Sequence, residues 1–191
     1  MGFGELVLFH FEKKKGQSVL KFPPGFRPLL DVVKLIAGKN IWIDLHAEPV
    51  DPDGVSYEDE VFGGIELLHK RNPGLKLILA HTAMTNPTNA RSLLNAYPKI
   101  MMSIKVIKKH KKWKNLEPIV NTEGEIYEDW ANLFEEMSER FIIGSDAKFE
   151  RKDFKASKYL KKIQDIRHLI GSIDPDAAQL IAYENAFGMF H

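Results

Sequence analysis

The strongest constraint on this chain is a repeated order: short apolar segment, polar loop, helix. Asn40–His46 (NIWIDLH), Leu75–Ala80 (LKLILA), Lys99–Val106 (KIMMSIKV) and Phe141–Ser145 (FIIGS) are apolar stretches of strand length. An earlier apolar segment, Phe3–Phe11, opens the series. Helical patterns follow at Arg27–Ala37, Tyr57–Arg71, Pro87–Ala96, Glu128–Arg140 and Lys152–Gly171. A last helix is predicted over Pro175–Phe187, capped by Asp174 with proline in its first turn. Ala47–Ser56, Thr82–Asn86 and Ile107–Gly124 are expected as loops. Strands alternating with helices predict parallel βαβ units in an α/β fold. Strands without polar alternation predict a sheet covered on both faces.

No linker or composition break divides the chain, so residues 1–191 are expected to form one domain. Apolar residues make up 44%, enough for a core. The 27 basic and 26 acidic residues nearly cancel, which gives no reason to expect nucleic acid or an anionic membrane as partner. The basic run Lys108, Lys109, His110, Lys111, Lys112 and Lys114 suits a solvated loop better than an anion site. With no cysteine, any metal must be held by His, Asp or Glu. The first residues lack a signal-peptide pattern and the apolar runs are too short to span a bilayer, so a cytoplasmic location is expected.

Three apolar segments end in a residue that packing does not require. His46 follows NIWIDL, His81 follows LKLILA, and Asp146 follows FIIGS. In parallel α/β folds the carboxyl ends of the strands carry the site. One histidine at such a place is commonly a hydrogen-bonded structural residue. Three polar residues at equivalent places favour a site, and two imidazoles with a carboxylate suit a divalent metal. Glu5 is a fourth candidate, at the end of a strand expected to begin before Met1; a solvated residue at a frayed terminus is the alternative. Asp44, two residues before His46, is positioned to orient a ligand. Glu48, Lys105 and Lys148 are candidates to contact a small-molecule substrate, and each equally suits a solvated charge. Gly-rich phosphate loops, G-x-S-x-G and H-E-x-x-H are absent.

The combination resembles the amidohydrolase superfamily of metal-dependent hydrolases. Ile43-Asp44-Leu45-His46 resembles its fifth strand, Leu77-Ile78-Leu79-Ala80-His81 its sixth, and Phe141-Ile142-Ile143-Gly144-Ser145-Asp146 its eighth. Gly4-Glu5-Leu6 resembles the end of the fourth, and Tyr183-Glu184-Asn185-Ala186 is similar to a motif of the C-terminal helix. The resemblance implies an incomplete (β/α) TIM-barrel-like fold of about five units, matching the fourth to eighth of a full barrel. It implies a divalent metal, zinc with manganese as alternative, held by His46, His81, Asp146 and Glu5. Asp146 would take a proton from water and His81 would meet the substrate oxygen, in hydrolysis of an amide, ester or lactone. The family's H-x-H pair on the first strand has no counterpart here, and 191 residues are fewer than a full barrel requires. The alternative is a non-catalytic half-barrel, its open edges closed by a second copy or an N-terminal partner.

Overall fold

The computed structural model describes residues 2–11, 20–22, 25–109, 116–147, 149, 152 and 154–191, with the Phe3 side chain set aside. Its strands are β1 (Gly2–Val7), β2 (Phe9–His10), β3 (Leu20–Lys21), β4 (Trp42–His46), β5 (Lys76–Leu79), β6 (Ile100–Ile104) and β7 (Phe141–Ile143). The main sheet has five strands in the order β1-β4-β5-β6-β7, and β2 and β3 form a small antiparallel pair. β1 with β4, β4 with β5, and β5 with β6 are parallel. The helices are α1 (Arg27–Leu35), α2 (Glu58–Arg71), α3 (Pro87–Ala96), α4 (Glu128–Glu136), α5 (Ala156–Ile170), α6 (Pro175–Gln179) and α7 (Asn185–Phe190). Strands and helices alternate as expected of parallel βα units.

Contacts divide the chain into two compact units. One runs to Met102 and includes the short stretch that ends at Glu117; the other comprises Ser103–Lys109 and Pro118–His191. In the first, β4 and β5 supply Ile43, Leu45, Leu77 and Leu79, and α2 and α3 supply Val61, Ile65, Ala90 and Leu94, all fully buried. The burial of Leu77, Ile78 and Leu79 in succession fits a strand covered on both faces. α2 carries Glu58, Asp59 and Glu60 in its first turn and His69, Lys70 and Arg71 in its last, which complements the helix dipole. α3 begins where expected because Asn86 accepts the Asn89 N–H at 2.9 Å and proline occupies its first turn.

In the second unit, Trp130 packs on Phe134 and Phe134 on Phe141, and Ile104, Leu133, Leu169 and Ile181 are buried as well. Asp174 caps α6 through the N–H groups of Asp176 and Ala177. The single helix expected over Pro175–Phe187 is instead three pieces, with a π turn at Leu180–Glu184 between α6 and α7. Asn185 then donates to the carbonyls of Ser138 (2.7 Å) and Phe141 (2.8 Å), tying the last helix to the start of β7. Among the described residues no helix is long and apolar enough to cross a membrane.

Other expectations need correction. Phe3–Phe11 is not one strand, because the chain breaks at Leu8 and Phe9–His10 turns to pair with β3. Glu5 lies inside β1 rather than at its end. The expected loop at Thr82–Asn86 begins within a tight left-handed turn over His81–Met84. α4 stops at Glu136, and α5 starts at Ala156 rather than at residue 152.

Candidate metal centre

The site in the first unit is built on three adjacent strands: inside β1, at the end of β4 and just after β5. His46 closes β4 and is buried. β1 runs parallel to it, but between the Phe3–Ile43 and Leu6–Leu45 pairs the two residues Gly4 and Glu5 stand opposite the single residue Asp44, a bulge. Bulges re-aim side chains, and this one brings Glu5 Oε1 to 2.7 Å from His46 Nδ1. His81 follows β5 in an unusual backbone. His81, Thr82, Ala83 and Met84 all have left-handed φ, from 47° to 57°, without a glycine among them. Such conformations cost about 1–3 kcal/mol each and gather at functional sites. The turn places His81 Nε2 at 3.3 Å from the same Glu5 oxygen. One ligand atom from each of Glu5, His46 and His81 lies within 4.8 Å of the others.

The other nitrogen of His46 faces a second carboxylate. Glu48 is fully buried, and its Oε1 lies 2.9 Å from His46 Nε2 and 3.0 Å from His10 Nδ1. Its Oε2 accepts the Phe11 N–H at 2.5 Å. His46 thus stands edge-on between the rings of His10 and His81, with centroids 5.1 and 5.2 Å away.

The electrostatics follow from this sandwich. Burial is the largest single influence on His46 and pushes its pKa down; hydrogen bonds to Glu48 and Glu5 and the attraction of both charges outweigh it, raising the pKa to about 9. Hydrogen bonds from His46, then His81, hold Glu5 well below the usual carboxylate range against the opposing effect of burial. Burial works most strongly on Glu48 too, but the bonds from His46 and the Phe11 N–H prevail and lower its pKa. Asp44 goes the other way, to about 6, chiefly through burial and then through the nearby Glu5 charge.

These placements bear on each expected residue. Glu5, His46 and His81 are brought together. Asp44 does not orient the His46 ring: its buried Oδ1 has no hydrogen-bond partner among the described residues, and Glu5 and Glu48 hold the ring instead. Glu48 is neither a solvated charge nor open to solvent, since its side chain is 1% exposed and engaged by protein groups. Asp146 and Lys105 belong to the second unit, where they form an ion pair at 2.6 Å. Asp146 has left-handed φ, and Lys162 Nζ donates to its carbonyl and to that of Ser145. Lys148 and the lysine run at 110–114 lie outside the described residues. His10 was not expected; the signal for it was the alternation Phe9-His10-Phe11, which sets a polar ring opposite two buried ones.

No protein-family model matches the chain, and no curated protein does. Among solved structures it is similar to an uncharacterized TIM-barrel protein from Bordetella bronchiseptica, with TM-score 0.54 and 14% identity. The similarity covers 87% of this chain and 51% of that one, so the chain spans about half the length of its structural neighbour. At that identity the likeness speaks for the fold alone: an incomplete α/β, TIM-barrel-like arrangement of parallel strands and alternating helices.

Proposed function

We propose that this chain carries the metal site of an amidohydrolase-type hydrolase, with a divalent ion, zinc before manganese, on Glu5, His46 and His81. The observation that carries the reading is the approach of one carboxylate oxygen and two imidazole nitrogens from three neighbouring strands. Two histidines and a carboxylate are a donor set of catalytic zinc, which keeps a further position open. Glu5, at 39% side-chain exposure, gives the cluster its face to solvent. A zinc ion there would polarise a carbonyl and bring the pKa of its water toward about 7. The chain's own residues would do the rest. Glu48 fixes the ring of His46 from behind. His81 is held in a strained turn that aims its imidazole at the cluster, where its Nε2 would hold the ion. The sequence resemblance alone supports Asp146 as proton acceptor, and Lys105 and Lys148 are candidates for the substrate from the sequence only.

The test is hydrolysis of simple esters, lactones and amides by the zinc-loaded protein. Turnover that falls by about 10²-fold or more in His81→Ala and Asp146→Asn is the expected result. Turnover absent from the zinc-loaded wild type, or indifferent to both variants, would remove the hydrolase reading.

A second reading is favoured by the strand order, which ends at β1 on one side and β7 on the other. Among the described residues β1 and β7 have one neighbour each in the main sheet, and a strand edge of that kind invites pairing with a second copy or another chain. In this reading the fold is a half-barrel whose partner completes it.

A further inference from the structure

We propose that His10, His46 and Glu48 form a second divalent-cation site, distinct from the Glu5 cluster and alternative to it. The atoms concerned are His10 Nδ1, His46 Nε2 and Glu48 Oε1, and they lie 2.9, 3.0 and 3.3 Å from one another. A tetrahedral zinc with bonds of about 2.0–2.1 Å sets its ligand atoms roughly 3.3–3.4 Å apart. The three atoms therefore already form nearly one face of a tetrahedron, and an ion at its centre needs them to spread by only a few tenths of an ångström.

The surroundings suit an ion as well. Glu48 is a buried carboxylate whose charge must be compensated. Its other oxygen is anchored by the Phe11 N–H, which fixes the direction of Oε1. His10, at 43% side-chain exposure, leaves an entry path and a fourth position for water.

The two sites share one ring. A neutral imidazole has a single lone pair, so an ion bound through His46 Nε2 leaves Nδ1–H to donate to Glu5, and an ion bound through Nδ1 leaves Nε2–H to donate to Glu48. Whichever triad is filled, the opposite carboxylate orients the ring. An ion in the second site also joins β2 to the end of β4, because His10 belongs to one and His46 to the other.

The site is isolated by removing the other one. Glu5→Gln/His81→Gln keeps all three ligands of the second site, and Co(II) is the probe because tetrahedral coordination gives it strong visible absorbance. Expected is a tetrahedral cobalt spectrum in this variant that weakens at least about tenfold in affinity when His10→Ala is added. A folded double variant that binds no cobalt tetrahedrally overturns the proposal, and so does binding that His10→Ala leaves unchanged. Should the double variant not fold, Glu5→Gln alone alters only an exposed side chain. Its His10 Nδ1 resonance, followed by nitrogen NMR, should then shift on adding zinc; an unmoved resonance overturns the proposal. Zinc-loaded wild type that does not hydrolyse, beside a double variant that binds cobalt, would remove the hydrolase reading and leave this site standing. Hydrolysis by the wild type beside a folded double variant that binds no cobalt would remove only the second site.

Discussion

Glu48 is the residue on which the polar cluster most depends. It receives His46, His10 and a backbone N–H while wholly out of solvent. Removing one member of a buried charged set leaves the others desolvated and unpaired, at a cost of about 3–5 kcal/mol. Glu48→Ala should lower the unfolding free energy of the metal-free protein by about that amount in urea titration. Glu5→Ala, at an exposed side chain, should cost clearly less; equal losses would mean that burial does not set the difference. A second residue gives a pH dependence away from the cluster. His69 on α2 is buried, its Nδ1–H donates to the Ile65 carbonyl at 3.0 Å, and its ring stacks on Tyr97 with centroids 4.4 Å apart. Burial, only partly opposed by that hydrogen bond, lowers its pKa below the ordinary 6.5. The folded state therefore binds this proton less readily than the unfolded state, and stability is lost as pH falls below about 6.5. Urea midpoints measured from pH 7.5 down to 5.5 should fall less steeply in His69→Phe than in wild type; parallel curves would show that His69 titrates normally.

At the scale of elements, the tightest joint in the second unit is at the end of β7. The Gly144 N–H donates to the Ile104 carbonyl at 2.9 Å. A Cβ on Gly144 would sit 2.9 Å from Ser103 Oγ and 3.0 Å from its Cβ. The hydroxyl could swing away, but the Ser103 Cβ is fixed to the backbone of β6. Gly144→Ala should therefore destabilise by about 1–3 kcal/mol in denaturant unfolding, and a neutral result would mean that the two strands separate easily. Much of this architecture was legible because it is written in local chemistry. α3 has its expected bounds, since Asn86 and Pro87 mark the start. Asp174 and Pro175 marked α6 in the same way. The parts that were not legible depend on distant partners. The β2–β3 pair rests on contacts between Phe9–His10 and Leu20–Lys21, which no local pattern announces. The left-handed turn at His81 lacks the glycine that ordinarily signals positive φ. Of the site, His46 and His81 could be read from strand ends, because apolar segments that stop at a polar residue leave a local trace; Glu5 was a candidate for a strand end that the structure places inside β1. His10 left only the short alternation Phe9-His10-Phe11, and the inward direction of Glu48 left no trace, because it follows from how the chain folds back after β1.

At the scale of the whole molecule, the question is what becomes of the sheet ends. β1 and β7 are the first and last strands in the order, and each therefore has one neighbour in the main sheet. Natural proteins protect such edges with charge, bulges or a covering partner. β1 has the bulge at Gly4–Glu5, which interrupts pairing on its β4 side and does not itself cap the outer edge. Long-range charge does little to keep copies apart, because the chain carries a net charge of only +1. The similarity with the structural neighbour covers only 51% of that chain. Under the half-barrel reading, the protein associates in solution, and light scattering should give a mass that climbs from 21.9 kDa toward twice that value as concentration rises. Association through strand edges rests on backbone hydrogen bonds and apolar contact, so added salt should leave it largely intact, whereas association through surface charges would weaken. A mass that stays at 21.9 kDa throughout would exclude self-closure of the sheet, and loss of the larger species in salt would assign the contact to charged surfaces instead.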